Sequence, residues 1–196
     1  MNKARVGFGC TFIKNKTFAI VSGGYTSNFQ VNANCEVFDI KANRWIEVYD
    51  NMKKYRTAHS LCEISGVFGR FVYAFGGLDE RDKSLDSIER LQLGSGDLES
   101  TFGAATWELL GDIRLPLRLC NVGCYTLSQG EILLFGGVST AEKQQWGQVL
   151  EVKGASKSHS LRPERIDLAM PDVFPNTTQF IQVSQGQASF ALIQGK

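Results

Sequence analysis

Three arginines recur at matched places in this 196-residue chain and are its best candidates for binding chemistry. Arg5 and Arg118 each precede a glycine pair, Gly23-Gly24 and Gly136-Gly137, by eighteen residues, and Arg56 and Arg118 each follow a tryptophan, Trp45 and Trp107, by eleven. A guanidinium is a planar fork of donors that can hold a carboxylate through two parallel hydrogen bonds. Such a set suits an acidic ligand. The same groups can also tie neighbouring elements together through carbonyls or a nearby carboxylate, and the spacing leaves both roles open.

Other chemistry is sparse. The chain has two histidines, His59 and His159, in dissimilar surroundings. No Gly-x-Ser-x-Gly elbow and no lysine-bearing phosphate loop is present. Its glycine pairs end apolar runs and open no helix, which excludes a dinucleotide fingerprint. The carboxylates Asp79, Glu80, Asp82 and Asp86 fall in one polar loop, where charge signals solvation. Five cysteines are spread along the chain, and Cys10, Cys62 and Cys124 sit at nearly the same place in successive units. Symmetry of that kind distributes them one per unit, which argues for small buried apolar residues and against a shared disulfide or metal cage. Cys120 and Cys124 are spaced C-x3-C, but no second pair completes a zinc site. No metal and no cofactor is expected, and an odd cysteine count suits a reducing compartment.

The elements that must carry these residues announce themselves by repetition. Gly23-Gly24, Gly76-Gly77 and Gly136-Gly137 each close a short apolar run: Phe18 to Val21, Phe71 to Phe75, and Ile132 to Phe135. The first glycines of the pairs are 53 and 60 residues apart. Twelve residues past the first two pairs stand Glu36 and Glu89, and eleven past the third stands Gln148, each in a segment that alternates apolar and polar residues as a half-buried strand does. The apolar runs around Cys10, Leu61 and Cys124 follow the three arginines. The tryptophans, recurring by repeat, are expected to pack between units. Trp146 is out of register, in the loop after the third pair, and is a candidate surface contact. The stretch Gly94 to Ala105 is an insertion.

Taken together, the strand ending in Gly-Gly, the glutamate-centred strand, the tryptophan and the arginine leading into the next strand resemble the kelch repeat over nearly the whole chain. The resemblance implies an all-β fold, a kelch-type β-propeller of four-stranded antiparallel blades. It places blades at about 5–48, 56–110 and 118–165, with a partial fourth at about 176–196. It also implies that Arg5, Arg56 and Arg118 line a basic pocket at one mouth of the propeller, where an acidic peptide of a partner would bind. Neighbouring surface comes from the loops after the glycine pairs, Tyr25 to Asn34, Leu78 to Ser87 and Val138 to Gly147.

Three and a half blades make an incomplete or open ring, because closed propellers take about four to eight. The expected explanations are a longer parent protein, closure by another chain such as a second copy through the open strand edges, or an open half-propeller with capped ends. The expected function is a non-enzymatic protein-interaction module or scaffold. It could serve as the substrate-recognition part of a ubiquitin ligase adaptor, which needs a BTB or F-box segment that this chain lacks. The alternatives are a kelch-type propeller enzyme acting on carbohydrate, and a fragment without independent activity. Twenty-one basic and twenty acidic residues nearly cancel, with no basic stripe for nucleic acid. No apolar run of about twenty residues could span a membrane, and no signal-peptide core opens the chain. An intracellular, cytoplasmic protein is expected.

Overall fold

A computed structural model describes residues 1–13, 17–66, 69–94, 101–103, 105–128, 131–141, 144–145, 149–153 and 167–169. The fold is all-β and antiparallel. The first sheet is β1 (Gly9–Ile13), β2 (Phe18–Ser22), β3 (Cys35–Asp39) and β4 (Arg44–Glu47), paired in chain order. The second is β5 (Ser60–Gly66), β6 (Gly69–Phe75), β7 (Leu85–Leu93) and β8 (Trp107–Leu119), also in chain order. The third joins β9 (Gly123–Ser128), β10 (Glu131–Phe135), β13 (Val149–Lys153) and β14 (Asp167–Ala169). A two-stranded ribbon, β11 (Val138–Ser139) with β12 (Gln144–Gln145), leaves the third sheet after its glycine pair. Every apolar run singled out in the sequence is a strand. The expected fourth unit, Trp146 and His159 lie outside the described residues.

Alternation along the strands gives each sheet two faces, and the second sheet buries both. Leu61, Val72, Ala74 and Leu91 pack with Ile13, Ile20, Cys35 and Val37 of the first sheet. Cys62, Tyr73, Phe75 and Ile88 pack with Ile132 and Leu134 of the third. Two described residues of the insertion join the first of these cores: Phe102 and Ala105 are buried in it, with the Phe102 ring edge-on to Phe18 at 5.9 Å.

Trp107 pairs with Leu91 and is buried between the first two sheets. Trp45 pairs with Phe38 at the equivalent place, two residues beyond Glu36 as Leu91 is beyond Glu89. It corrects the expectation that both tryptophans pack between units. Trp45 is half-buried against the Phe38 ring at 5.0 Å, on a face of the first sheet that no described sheet covers.

Both residues of each glycine pair have positive φ, for example 59° at Gly76 and 101° at Gly77. A side chain there would also collide with the next unit: the Cβ of residue 23 would strike the Arg56 carbonyl, and that of residue 76 the Leu119 carbonyl. The same carbonyls accept the N–H of Gly24 at 2.9 Å and of Gly77 at 2.8 Å. Glycine is required because the pair is the seam to the following unit.

Candidate functional site

Arg5 and Arg56 reach inward from the segments that enter the first two sheets. The Arg5 guanidinium donates to the carbonyls of Gly23 at 3.0 Å and Asn34 at 2.9 Å, and lies 3.4 Å from the Glu36 carboxylate. Arg56 repeats the arrangement. It donates to the carbonyls of Gly76 at 2.6 Å and Ser87 at 3.2 Å, and to Glu89 at 2.6 Å. Each glutamate also accepts two successive backbone N–H groups. Glu36 takes those of Asn2 and Lys3, and Glu89 those of Lys53 and Lys54, so the donors lie three and two residues ahead of the arginine in both units. Burial pulls the Arg56 pKa down and the Glu89 charge pulls it back. Taking these charges out of water is offset only because nearly every donor and acceptor is matched.

The geometry corrects the expectation of a basic partner pocket. Arg5 and Arg56 are buried and committed to internal acceptors, so neither is free for an acidic peptide. Arg118 does not share their position. Bridges Val6↔Tyr25, Thr57↔Leu78 and Cys120↔Val138 align the three units, and the residue before each bridge is Arg5, Arg56 and Leu119. A one-residue offset turns a strand side chain to the other side. The Arg118 side chain is 60% exposed, 3.9 Å from Asp86, and Leu119 fills the buried slot.

The glutamate slot changes with it. Glu36 pairs in register with Val21 and Glu89 with Ala74, two residues before each glycine pair, and the matching Leu134 pairs with Leu150. This place therefore falls to Leu150, and Gln148, expected there from the spacing, lies outside the described residues. Three residues ahead of Leu119 stands Pro116, which has no N–H to give. The third unit thus has leucine at both charged places and lacks one of the two donors.

The same frame corrects the cysteines. Cys10 and Cys124 lie four residues beyond their bridge residues, but Cys62 lies five beyond. Cys62 therefore faces the third sheet, and Cys124 faces back toward the second.

His59 packs at the seam of the first two units. Its Nε2 lies 2.8 Å from Ser22 Oγ, and a Cβ on Gly9, Gly23 or Gly77 would strike the imidazole or its stem. A serine–histidine hydrogen bond is half of a nucleophilic constellation. Here Ser22 is fully buried, and Nδ1 has no hydrogen-bond partner among the described residues, so the ring lacks an orienting acceptor and the hydroxyl lacks an approach. Burial, aided by the Arg56 charge, pushes the His59 pKa well below its ordinary value and keeps the ring neutral. Burial pushes the Cys35 thiol up to about 12.

What lies open to solvent is the row of turns after the glycine pairs. In the first, Phe29 N–H donates to the Thr26 carbonyl at 3.0 Å and Thr26 N–H to the Gln30 carbonyl at 2.9 Å. The second matches it, with Asp82 N–H on Asp79 and Asp79 N–H on Lys83, and adds an Asp79 side chain that accepts the N–H of Arg81 and Lys83. Neighbouring turns are stitched sideways. Tyr25 Oη donates to Asp82 at 2.5 Å, and the Ser84 and Thr140 backbones and hydroxyls bond each other at 2.9 to 3.1 Å. Both turns need a left-handed residue at one place. Asp82 has φ of 55°, which a short polar residue tolerates, whereas Phe29 adopts 56° with a bulky ring that is 87% exposed. Sequence reasoning named these loops but not Phe29; the signal was an aromatic where the sister turn carries aspartate.

No family model and no curated protein matches this chain. Among the described residues there is no cluster of three or more histidine, cysteine or carboxylate groups placed to hold a metal, and no helix long and apolar enough to cross a membrane.

Proposed function

We propose that this chain is a non-enzymatic protein-interaction module, built as part of a kelch-type propeller, and that it meets its partner through the stitched turns. One observation carries the reading: Phe29 stands 87% exposed in a left-handed conformation that costs an ordinary side chain about 1–2 kcal/mol. Strain held at an exposed aromatic on a braced loop points to contact use. The propeller reading is supported by the recurring meander, by the successive packing of sheet on sheet and by the glycine seams. The partner would offer an apolar recess for the ring and polar groups for the flanking Asp79, Glu80, Arg81, Asp82 and Lys83.

The test is affinity capture with the whole chain and with Phe29→Asp, which keeps the turn. Proteins bound by the parent and lost by the variant support the reading. An unchanged set of bound proteins opposes it.

A second reading, completion by a further sheet, has its own observation. Cys10, Phe12, Val21, Phe38 and Trp45 share one face of the first sheet, and Phe12 is 56% exposed there. The equivalent faces of the other two sheets are covered by their neighbours. A second copy or a further stretch of chain would cover this one, and the mass in solution distinguishes the two.

A further inference from the structure

We propose that Cys62 and Cys124 form a peroxide-sensitive thiol pair whose oxidation joins the second sheet to the third through a disulfide.

The two cysteines lie on the two faces that pack together. Cys62 pairs in register with Tyr73 and Cys124 with Leu134, and Tyr73 and Leu134 belong to the same core. Side chains from β9 cross the seam at this point. Cys124 S–H donates to the Leu61 carbonyl at 3.0 Å, one residue before Cys62. Thr126 Oγ1 donates to the Glu63 carbonyl at 2.7 Å and lies 3.4 Å from the Cys62 sulfur. Cys124 is half-buried and Cys62 is enclosed, so a small oxidant has to pass Cys124 to reach the Cys62 sulfur. Both thiols are free.

Their surroundings divide the roles. The adjacent Cys124 S–H, with help from Thr126, lowers the Cys62 pKa against the opposing effect of burial. Cys62 and burial raise that of Cys124. On that balance Cys62 attacks and Cys124 resolves, and the residue that carries a trapped sulfenic acid tests the order.

With hydrogen peroxide as oxidant, the Cys62 sulfur attacks one peroxide oxygen. The O–O bond breaks, Cys62 becomes a sulfenic acid, and the departing hydroxide takes a proton to leave as water. The Cys124 sulfur then attacks the Cys62 sulfur. The S–O bond breaks, the S–S bond forms, and a second water leaves with the Cys124 proton. Two thiols lose two electrons and two protons, and the peroxide is reduced to two waters.

The experiment treats the whole reduced chain with hydrogen peroxide, alkylates the remaining thiols and maps tryptic peptides without reduction. The expected product links the peptide 57–70 to the peptide 119–143, with fragmentation placing the bond at Cys124 and not at Cys120. Oxidation should raise the melting temperature by about 5–10 °C, reversibly with dithiothreitol. Cys124→Ser should stop at a dimedone-trappable sulfenic acid on Cys62. Recovery of both residues alkylated while the exposed Cys10 is oxidised overturns the proposal. So does direct passage of Cys62 to the sulfinic acid, or a bond from Cys124 to Cys10 or Cys120. The map of the parent chain decides the matter even where a variant does not fold.

Discussion

Arg56 and Glu89 form an ion pair at 2.6 Å with both side chains fully buried. Its counterpart in the first unit is Arg5 with Glu36, and in the third unit the two register positions hold Leu119 and Leu150. A buried charge without its partner is far costlier than an apolar pair in the same place. That asymmetry explains why the two positions carry charge together in two units and leucine together in the third.

Replacing one member should therefore hurt more than replacing both. Arg56→Leu or Glu89→Leu alone is expected to cost about 3–5 kcal/mol. The double substitution should recover at least about 1–2 kcal/mol of the summed loss, the shortfall arising from the orphaned N–H groups of Lys53 and Lys54. Urea denaturation of the four proteins in a double-mutant cycle measures it.

His59 makes stability depend on pH. Its folded pKa lies well below that of the unfolded chain. Between the two values the unfolded state binds the extra proton, so stability rises with pH. The contribution is fully present above about pH 6.5. It falls by up to about 1.4 kcal/mol per pH unit as the solution is acidified toward the folded value. His59→Gln should flatten this slope between about pH 6.5 and 5, as read by denaturant midpoints across the range.

Phe29 should trade stability for contact. Phe29→Asn relieves the left-handed strain and is expected to stabilise the chain by about 1 kcal/mol. Captured partners should be lost at the same time. A variant no more stable than the parent would oppose the reading of strain at Phe29.

The glycines should differ sharply by place. Gly76→Ala forces a Cβ toward the Leu119 carbonyl at a positive φ of 59° and should cost about 2–4 kcal/mol. Gly111→Ala meets nothing within 4 Å and should stay within about 0.5 kcal/mol of the parent. Thermal unfolding of the two variants compares them directly.

The strands were legible because alternation and glycine are local signals. Phe18 to Val21 and Phe71 to Phe75 are apolar enough, and end abruptly enough, to mark strands without knowledge of their neighbours. The arginines were harder. Arg5, Arg56 and Arg118 look alike along the chain, yet counting back from the bridges puts Leu119, not Arg118, in the buried slot. Cys62 and Cys124 misled in the same way: one residue of offset turned an apparent repeat position into two facing thiols.

Repetition in the amino-acid sequence was enough to determine the succession of short strands, the glycine stops and the approximate length of each unit, because backbone sterics and side-chain alternation act over a few residues. Tertiary structure alone decided which side of each sheet a residue occupies and what it meets there. Side chains along a strand change face at every residue, so spacing counted through loops and bulges loses the parity. The Glu89 carboxylate that turns Arg56 from a candidate ligand site into an internal brace lies 33 residues away. Only packing brings the two together.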